Sequence, residues 1–282
     1  MSDSLSPWHH AALFARSAHA ARTAVVARLR AAGCVFAEDE ARLLVATADT
    51  PDTLDSMVRR RVAGLPLEHV LGWAEFCGLR IAVAPGVFVP RRRTEFLARQ
   101  ATALTPPGAV VVDLCCGSGA VGAALASAVS GVELHAVDFD PAAVRCAREN
   151  VAAAGGRVYE GDLYGPLPET LRGRVDVLTA ITPYVPSGEV GLLPREARMH
   201  ESRLALDGGC DGLDVLRRVA GEAPHWLAPQ GRLLVETSEH QAPQAVDILT
   251  RHGLTAHTAT CHELHATVVI GGNDAGRTPT GA

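Results

Sequence analysis

No run of eighteen apolar residues occurs anywhere in this sequence, so nothing in it reads as a membrane-spanning helix. The first residues, MSDSLSPWHH, lack a basic stretch followed by an apolar one; no secretory leader is expected, and a cytoplasmic location is. Nothing reads C-x-x-C. The seven cysteines are odd in number and scattered, apart from the neighbours Cys115 and Cys116, which points to reduced thiols rather than a disulfide framework or a zinc site. The histidines offer no metal site either, because His200, His240, His262 and His265 fall in no H-x-x-x-H or carboxylate spacing. An excess of positive charge is also missing. The formal net charge of −5 argues against non-specific binding to nucleic acid or to an anionic membrane. No internal repeat is present.

What remains is a chain of 282 residues, 48% hydrophobic and 20% charged, which is enough for a sizeable core and too apolar for global disorder. Residues 1–72 read as a small helical domain. Ala11–Ala32, Ala37–Ala48 and Thr53–Ala63 have apolar residues at helical spacing, with Asp52–Thr53 as a cap and Gly64 and Pro66 as a stop. Residues 73–90 interleave Trp73, Phe76, Leu79, Ile81, Val83, Val87 and Phe88 with small or polar residues. They predict a linking β-hairpin with Pro85–Gly86 in its turn. Residues 91–272 form the second domain. It opens with a helix over Arg91–Leu104 and then alternates strands and helices, ending in the strand pair Thr255–Cys261 and Ala266–Gly271. Alternating βα units imply an α/β fold, a doubly wound, mainly parallel sheet with helices on both faces. Residues 273–282 read as a frayed tail. Trp8, Trp73 and Trp226 are most simply core or interface anchors.

The segment Val110–Val121, VVVDLCCGSGAV, holds most of the chemistry. A β-branched run ends at Asp113, a turn follows with Gly117 and Gly119, and an Ala-rich helix begins. Strand, glycine turn and helix build a nucleotide pocket at the carboxyl end of an α/β sheet. Asp138 ends the second strand, 25 residues after Asp113, and can accept hydrogen bonds from a ribose diol. Asp162 follows the third strand and is expected to accept from an adenine amino group, with Leu163 and Phe139 flanking the ring; an Asx-turn is its alternative role. Gly117, Gly119 and Gly122 complete G-x-G-x-x-G, so an NAD-type domain must be weighed. Asp113 stands against it, because a carboxylate just before that turn repels a pyrophosphate and suits a cationic or zwitterionic ligand such as S-adenosylmethionine.

The residues D-L-C-C-G-S-G, A-V-D-F-D-P and G-D-L resemble the cofactor motifs of class I S-adenosylmethionine-dependent methyltransferases. Three further segments resemble the HemK-type protein-(glutamine-N5) methyltransferases, which modify peptide chain release factors. These are R-x-x-G-x-P-L-E-H-V-L-G at Arg61–Gly72, V-P-R-R-R-T-E at Val89–Glu95, and H-E-S-R-L-A-L-D-G-G-C-D-G-L at His200–Leu213. The resemblance implies a seven-stranded Rossmann-like methyltransferase sheet and a helical domain that recognises a protein substrate. It implies S-adenosylmethionine contacts at Thr94, Asp113, Cys115, Gly117, Gly119, Asp138, Phe139, Asp162 and Leu163. It places the catalytic loop at Ile181, Thr182, Pro183 and Tyr184, substrate contacts at Pro183 and Tyr184, and at Glu201 an acid that orients that loop or meets the substrate. Glu236 ends the strand LLVE on the crevice side, where it is placed to touch the substrate or cofactor or to make a structural hydrogen bond. Neither a metal nor direct contact with nucleic acid is implied. Arg91–Arg93 read as a solvated face with one functional arginine.

One departure stands out. The family motif after the fourth strand is N-P-P-Y, and here it reads Ile181–Thr182–Pro183–Tyr184. In the family the asparagine side-chain oxygen and a backbone carbonyl orient the glutamine amide nitrogen. Ile181 accepts no hydrogen bond through its side chain. A lost bond of that kind is worth ~1–3 kcal/mol, or roughly ten- to a hundredfold in rate. Three outcomes are compatible with the change: slower glutamine methylation of a release factor-like protein, transfer to a small-molecule acceptor, or cofactor binding without transfer.

Overall fold

A computed structural model describes residues 7–273, with side chains from residue 19 onward. The chain divides into two compact units between Gly72 and Trp73. The first unit holds α1 (Pro7–Ala31), α2 (Ala37–Thr47), α3 (Pro51–Val62) and the one-turn α4 (Leu67–Leu71). Leu29, Leu44, Val58 and Met57 fill its core. The cap of α3 is Thr50 rather than Asp52–Thr53: the Thr50 hydroxyl accepts from the Thr53 N–H at 3.1 Å, and Pro51 takes the first helical position, where no N–H is needed.

A buried ion pair joins α2 to α3. Arg61 donates from Nε and Nη2 to the two oxygens of Glu40, at 2.7 and 3.0 Å, and both side chains are about nine-tenths buried. Removing one member strands the other charge. Arg61→Met is therefore expected to lower stability by about 3 kcal/mol, read as an earlier midpoint in urea denaturation of the full chain. An unchanged midpoint contradicts this role.

The second unit opens with the hairpin β1 (Trp73–Phe76) and β2 (Leu79–Ala82). Its turn is Cys77–Gly78, not Pro85–Gly86. Phe76 pairs with Leu79, and both turn residues have positive φ, 49° and 77°, the geometry that matches the twist of a two-residue hairpin. α5 (Thr94–Leu104) starts three residues later than expected, because Arg91–Arg93 are used in the preceding turn. Then follow β3 (Val110–Leu114), α6 (Ala120–Ala128), β4 (Glu133–Asp138), α7 (Pro141–Val151), β5 (Arg157–Glu160), β6 (Val175–Ala180), α8 (Arg195–His200), α9 (Asp214–Trp226), β7 (Leu227–Thr237), α10 (Ala242–Arg251), β8 (Thr255–Cys261) and β9 (Ala266–Gly272).

The seven strands run in the order β5-β4-β3-β6-β7-β9-β8, parallel except for the antiparallel β9 against β7 and β8. This is the fold class read from the sequence. β3 is buried along its whole length, as a central parallel strand covered on both faces must be. Its alternation sends Val110, Val112 and Leu114 to one core and Val111 to the other. Trp226 is enclosed in the first of these cores and stacks on Tyr164, whereas Trp73 is partly exposed under Arg80; the side chain of Trp8 lies outside the described residues. The tail from 274 onward also lies outside them. Asn273 does not fray: its N–H donates to the Gly231 carbonyl at 3.0 Å. Because β4 and β5 lie on one side of β3 and β6 and β7 on the other, the strand order reverses between β3 and β6. A crevice at the carboxyl ends of these two strands is where such sheets bind ligands.

Candidate active site

On the β3 side the chain turns through Cys115, Gly117 and Gly119, with φ of 53°, 55° and 76°. Gly119 is required for two reasons. Its φ is left-handed, and a Cβ there would meet Ala147 of α7 at 3.1 Å, so a side chain would push α6 off α7. Asp138, at the end of β4, accepts from the Gly117 N–H at 2.8 Å and the Asp140 N–H at 2.9 Å, one on each oxygen. Burial raises its pKa while these backbone donors oppose the rise. Each oxygen keeps further acceptor capacity, which fits a diol. Phe139 beside it is 62% exposed, a bare ring face on an otherwise buried sheet end.

Asp113 differs from expectation. Its side chain is enclosed: one oxygen accepts from the Thr179 hydroxyl at 2.8 Å and the other from the Gly122 N–H at 3.2 Å. Strand alternation puts it on the Val111 face, so it holds the first turn of α6 rather than opening onto the crevice. Burial pushes its pKa up to about 7, against the pull of those two hydrogen bonds. Asp162, expected to be free for an adenine, is paired at 2.5 Å with Arg218 of α9, a residue the sequence reading missed. Leu163 is almost buried with φ 48°, and burial pushes the Cys115 thiol far up, so it is no nucleophile.

The β6 side carries the segment Ile181–Tyr184. Ile181 is half-buried against the core, Thr182 is buried, and Pro183 and Tyr184 follow. The parallel register ends with Ala180 paired to Val235, and Ile181 and Glu236 are the next residues of their two chains. Glu236 Oε1 accepts from the Tyr184 hydroxyl at 3.2 Å and from Arg93 Nε at 3.1 Å. The Arg93 guanidinium lies over the Tyr184 ring at 5.7 Å. Burial, with Glu236 beside it, pushes the Tyr184 pKa up to about 12, so the phenol stays a donor.

Gln241 clamps the loop from behind. Its Nε2 donates to the carbonyls of Tyr184 and Asp211, both at 2.9 Å, and its Oε1 is held by Ser238 at 2.7 Å. A Cβ on Gly212 would collide with the Tyr184 carbonyl, so the D-G-G-C-D-G segment is pressed against the 181–184 loop. Gln241→Met is expected to lower kcat up to about tenfold, the worth of one or two hydrogen bonds, and to leave cofactor affinity measured by calorimetry unchanged. Equal losses in both would refute a role confined to the loop.

Glu201 is paired within the chain. Both its oxygens lie 2.6 Å from Arg91 Nη2 and one accepts from the Val89 N–H, so its carboxylate ties down the segment before α5. Among the described residues no cluster of His, Cys, Asp or Glu suits a metal. A groove of about 810 Å³ between the hairpin, α5 and α6 gathers none of the candidate residues.

Do these residues fit S-adenosylmethionine? Thr94 Oγ1 and Thr237 Oγ1 are buried without a hydrogen-bond partner, at the start of α5 and the end of β7, two segments joined by the Arg93–Glu236 pair. Hydroxyls left unpaired in this way have donor and acceptor capacity that a polar ligand would satisfy. With the Gly turn, Asp138 and the bare Phe139 ring, the donor set fits an adenosyl group that carries a polar amino-acid end.

Residues 78–179 match the model of the methyltransferase small domain. The chain is 38% identical to a release factor glutamine methyltransferase of Geobacter sulfurreducens, over 70% of this chain and 69% of the relative. It is 36% identical to a 4-amino-L-phenylalanine/4-methylamino-L-phenylalanine methyltransferase of Streptomyces pristinaespiralis, over 73% of each. A solved methyltransferase structure from Pyrococcus furiosus superposes with a TM-score of 0.51, covering 70% of this chain and 89% of that one; at 16% identity it speaks for the fold alone.

Proposed function

Because this chain belongs to the family of release factor glutamine methyltransferases and their relatives, we propose that it transfers a methyl group from S-adenosylmethionine to the side-chain amide nitrogen of a glutamine in a protein, such as a peptide chain release factor. The observation that carries this reading is the alignment of strand ends at the switch point. The glycine turn held by Asp138 stands at β3 and β4, and the Tyr184–Glu236 pair stands at β6 and β7. The cofactor, when bound, supplies a methyl group on a sulfonium centre. The protein supplies position. Asp138 takes the ribose diol, Phe139 and Leu163 flank the base, and Asp113 fixes the turn.

Transfer of this kind depends mostly on holding nucleophile and methyl in line. The backbone carbonyls of Ile181 and Thr182 face that task without help from the side chain of Ile181, so the reaction is slower than an asparagine at this position would allow. The helical unit recognises the substrate protein. No described helix is long and apolar enough to cross a membrane, and the reading is of an enzyme acting in the cytoplasm.

A second reading, transfer to a small aromatic amine, draws on the apolar wall that Ile181 gives the acceptor side and on the small-molecule relative. Labelled-methyl transfer separates the two. Label on a purified release factor supports the first reading; label in a metabolite extract with none on the protein supports the second.

A further inference from the structure

A nitrogen that must be methylated has to be pointed at the methyl group, and it is pointed by whatever accepts its N–H. Ile181 offers no acceptor in its side chain. Glu236 follows Val235, the register partner of the residue before Ile181, and bonds Tyr184 of the same loop; its side chain is 3% exposed. The two oxygens of this carboxylate are unequal. Oε1 receives both the Arg93 Nε–H and the Tyr184 O–H, while Oε2 is buried without any partner. Among the described residues it is the one carboxylate oxygen in that condition. A buried charged acceptor left bare is costly, and it lies at the strand end where the reacting nitrogen has to sit.

We propose that Glu236 is the residue that holds the methyl-accepting nitrogen in this chain, through Oε2, and that it receives the proton the nitrogen gives up. The inference rests on the N-methyl transfer proposed above. In the step, the N–CH3 bond forms as the S–CH3 bond breaks, the sulfonium becomes a neutral thioether, and the N–H proton passes to the Glu236 carboxylate. The charges balance: one cation and one anion are consumed. Arg93, half-exposed and lying across Tyr184, covers the acid, and the acceptor enters as this side chain turns aside.

The arrangement also selects the substrate class. A carboxylate favours the protonated form of an aliphatic amine, and an ammonium has no lone pair to attack with. A carboxamide is neutral, donates N–H strongly, and becomes acidic once alkylated. The site therefore takes a glutamine amide and rejects a lysine at the same place.

Glu236→Gln is the decisive variant. Arg93 and Tyr184 both donate to Oε1, so a glutamine turns its carbonyl towards them and presents its NH2 where Oε2 was. An acceptor becomes a donor. Labelled-methyl transfer to a peptide containing Gly-Gly-Gln is expected to fall by about a hundredfold, with cofactor affinity kept. Calorimetric binding of the same peptide to the cofactor-free protein is expected to weaken about tenfold. Adding Ile181→Asn restores an acceptor next door, so it is expected to raise the rate of Glu236→Gln by a larger factor than it raises the wild type. Glu236→Asp, which keeps the charge, is the second variant should the first not fold. A peptide with lysine in place of the glutamine is expected to take no label.

Wild-type activity on the glutamine peptide that survives Glu236→Gln undiminished overturns this inference and leaves the proposed function standing. Wild-type protein that labels no glutamine overturns the proposed function, and this inference with it.

Discussion

Ile181→Asn is expected to raise the rate of methyl transfer to a glutamine-containing substrate. One hydrogen bond to a buried reacting group is worth ~1–3 kcal/mol, which corresponds to about ten- to a hundredfold. The gain should fall near the lower figure, because Glu236 already stands beside the position. The change is sterically reasonable: Ile181 is half-buried against the core at the strand end, and an asparagine is smaller. Its effect should appear in kcat with little change in the KM for the cofactor, since the new group meets the acceptor rather than the donor. Steady-state kinetics on a release factor domain would read it. A fall in activity, or a gain seen only on a small aromatic amine, would argue that the apolar wall is an adaptation to another acceptor.

Asp113→Asn is expected to stabilise the protein above pH 7 and to weaken cofactor binding. The carboxyl is enclosed, and its pKa is raised from 3.8 to about 7 by burial. A carboxyl whose folded pKa lies above its unfolded value favours the fold below about pH 4. That advantage is lost as pH rises to 7 and stays lost beyond, a difference on the order of 4 kcal/mol. Asparagine avoids the burden and keeps the contacts. Its carbonyl accepts from the Gly122 N–H, its NH2 donates to Thr179 Oγ1, and the Thr179 hydroxyl can turn towards the Val112 carbonyl, 3.5 Å away.

The variant should therefore unfold at a higher temperature than wild type at pH 8, with the difference vanishing near pH 4. The buried charge has a use in the opposite direction, because a sulfonium in the crevice favours the ionised carboxyl. Wild-type affinity for S-adenosylmethionine should rise as pH passes through 7, with proton release on binding. In Asp113→Asn it should be weaker and flat with pH. Calorimetry in two buffers of different ionisation enthalpy reads the released proton. Equal affinities and parallel pH profiles in the two proteins would show that Asp113 serves the turn alone.

The strands of the second unit were legible because their chemistry is local. VVVDL and VDVLTA are apolar runs ended by a turn, and the βα alternation leaves few sheet orders open. The hairpin turn was misplaced because Pro85–Gly86 is the stronger dipeptide signal, whereas Cys77–Gly78 relies on a non-glycine residue accepting a positive φ. The enclosure of Asp113 escapes its motif for a related reason. The motif suggested a ligand contact, yet the period of two that makes Val111 buried also turns Asp113 inward.

What no local pattern carries is pairing at a distance. Arg93 meets Glu236 across 143 positions and Arg91 meets Glu201 across 110. Gln241 reaches back 57 residues to the Tyr184 carbonyl. These contacts decide which carboxylates are free to act. The sequence nominated Glu201 and Glu236 alike, and only the folded chain separates the satisfied one from the one with a bare oxygen.

The most direct test of the account is mass spectrometry of a purified release factor incubated with this protein and methyl-labelled S-adenosylmethionine. One added methyl group is expected, on the amide of the glutamine in the Gly-Gly-Gln loop, formed faster by Ile181→Asn than by wild type. A release factor left unlabelled by both, while the protein binds the cofactor, would contradict it.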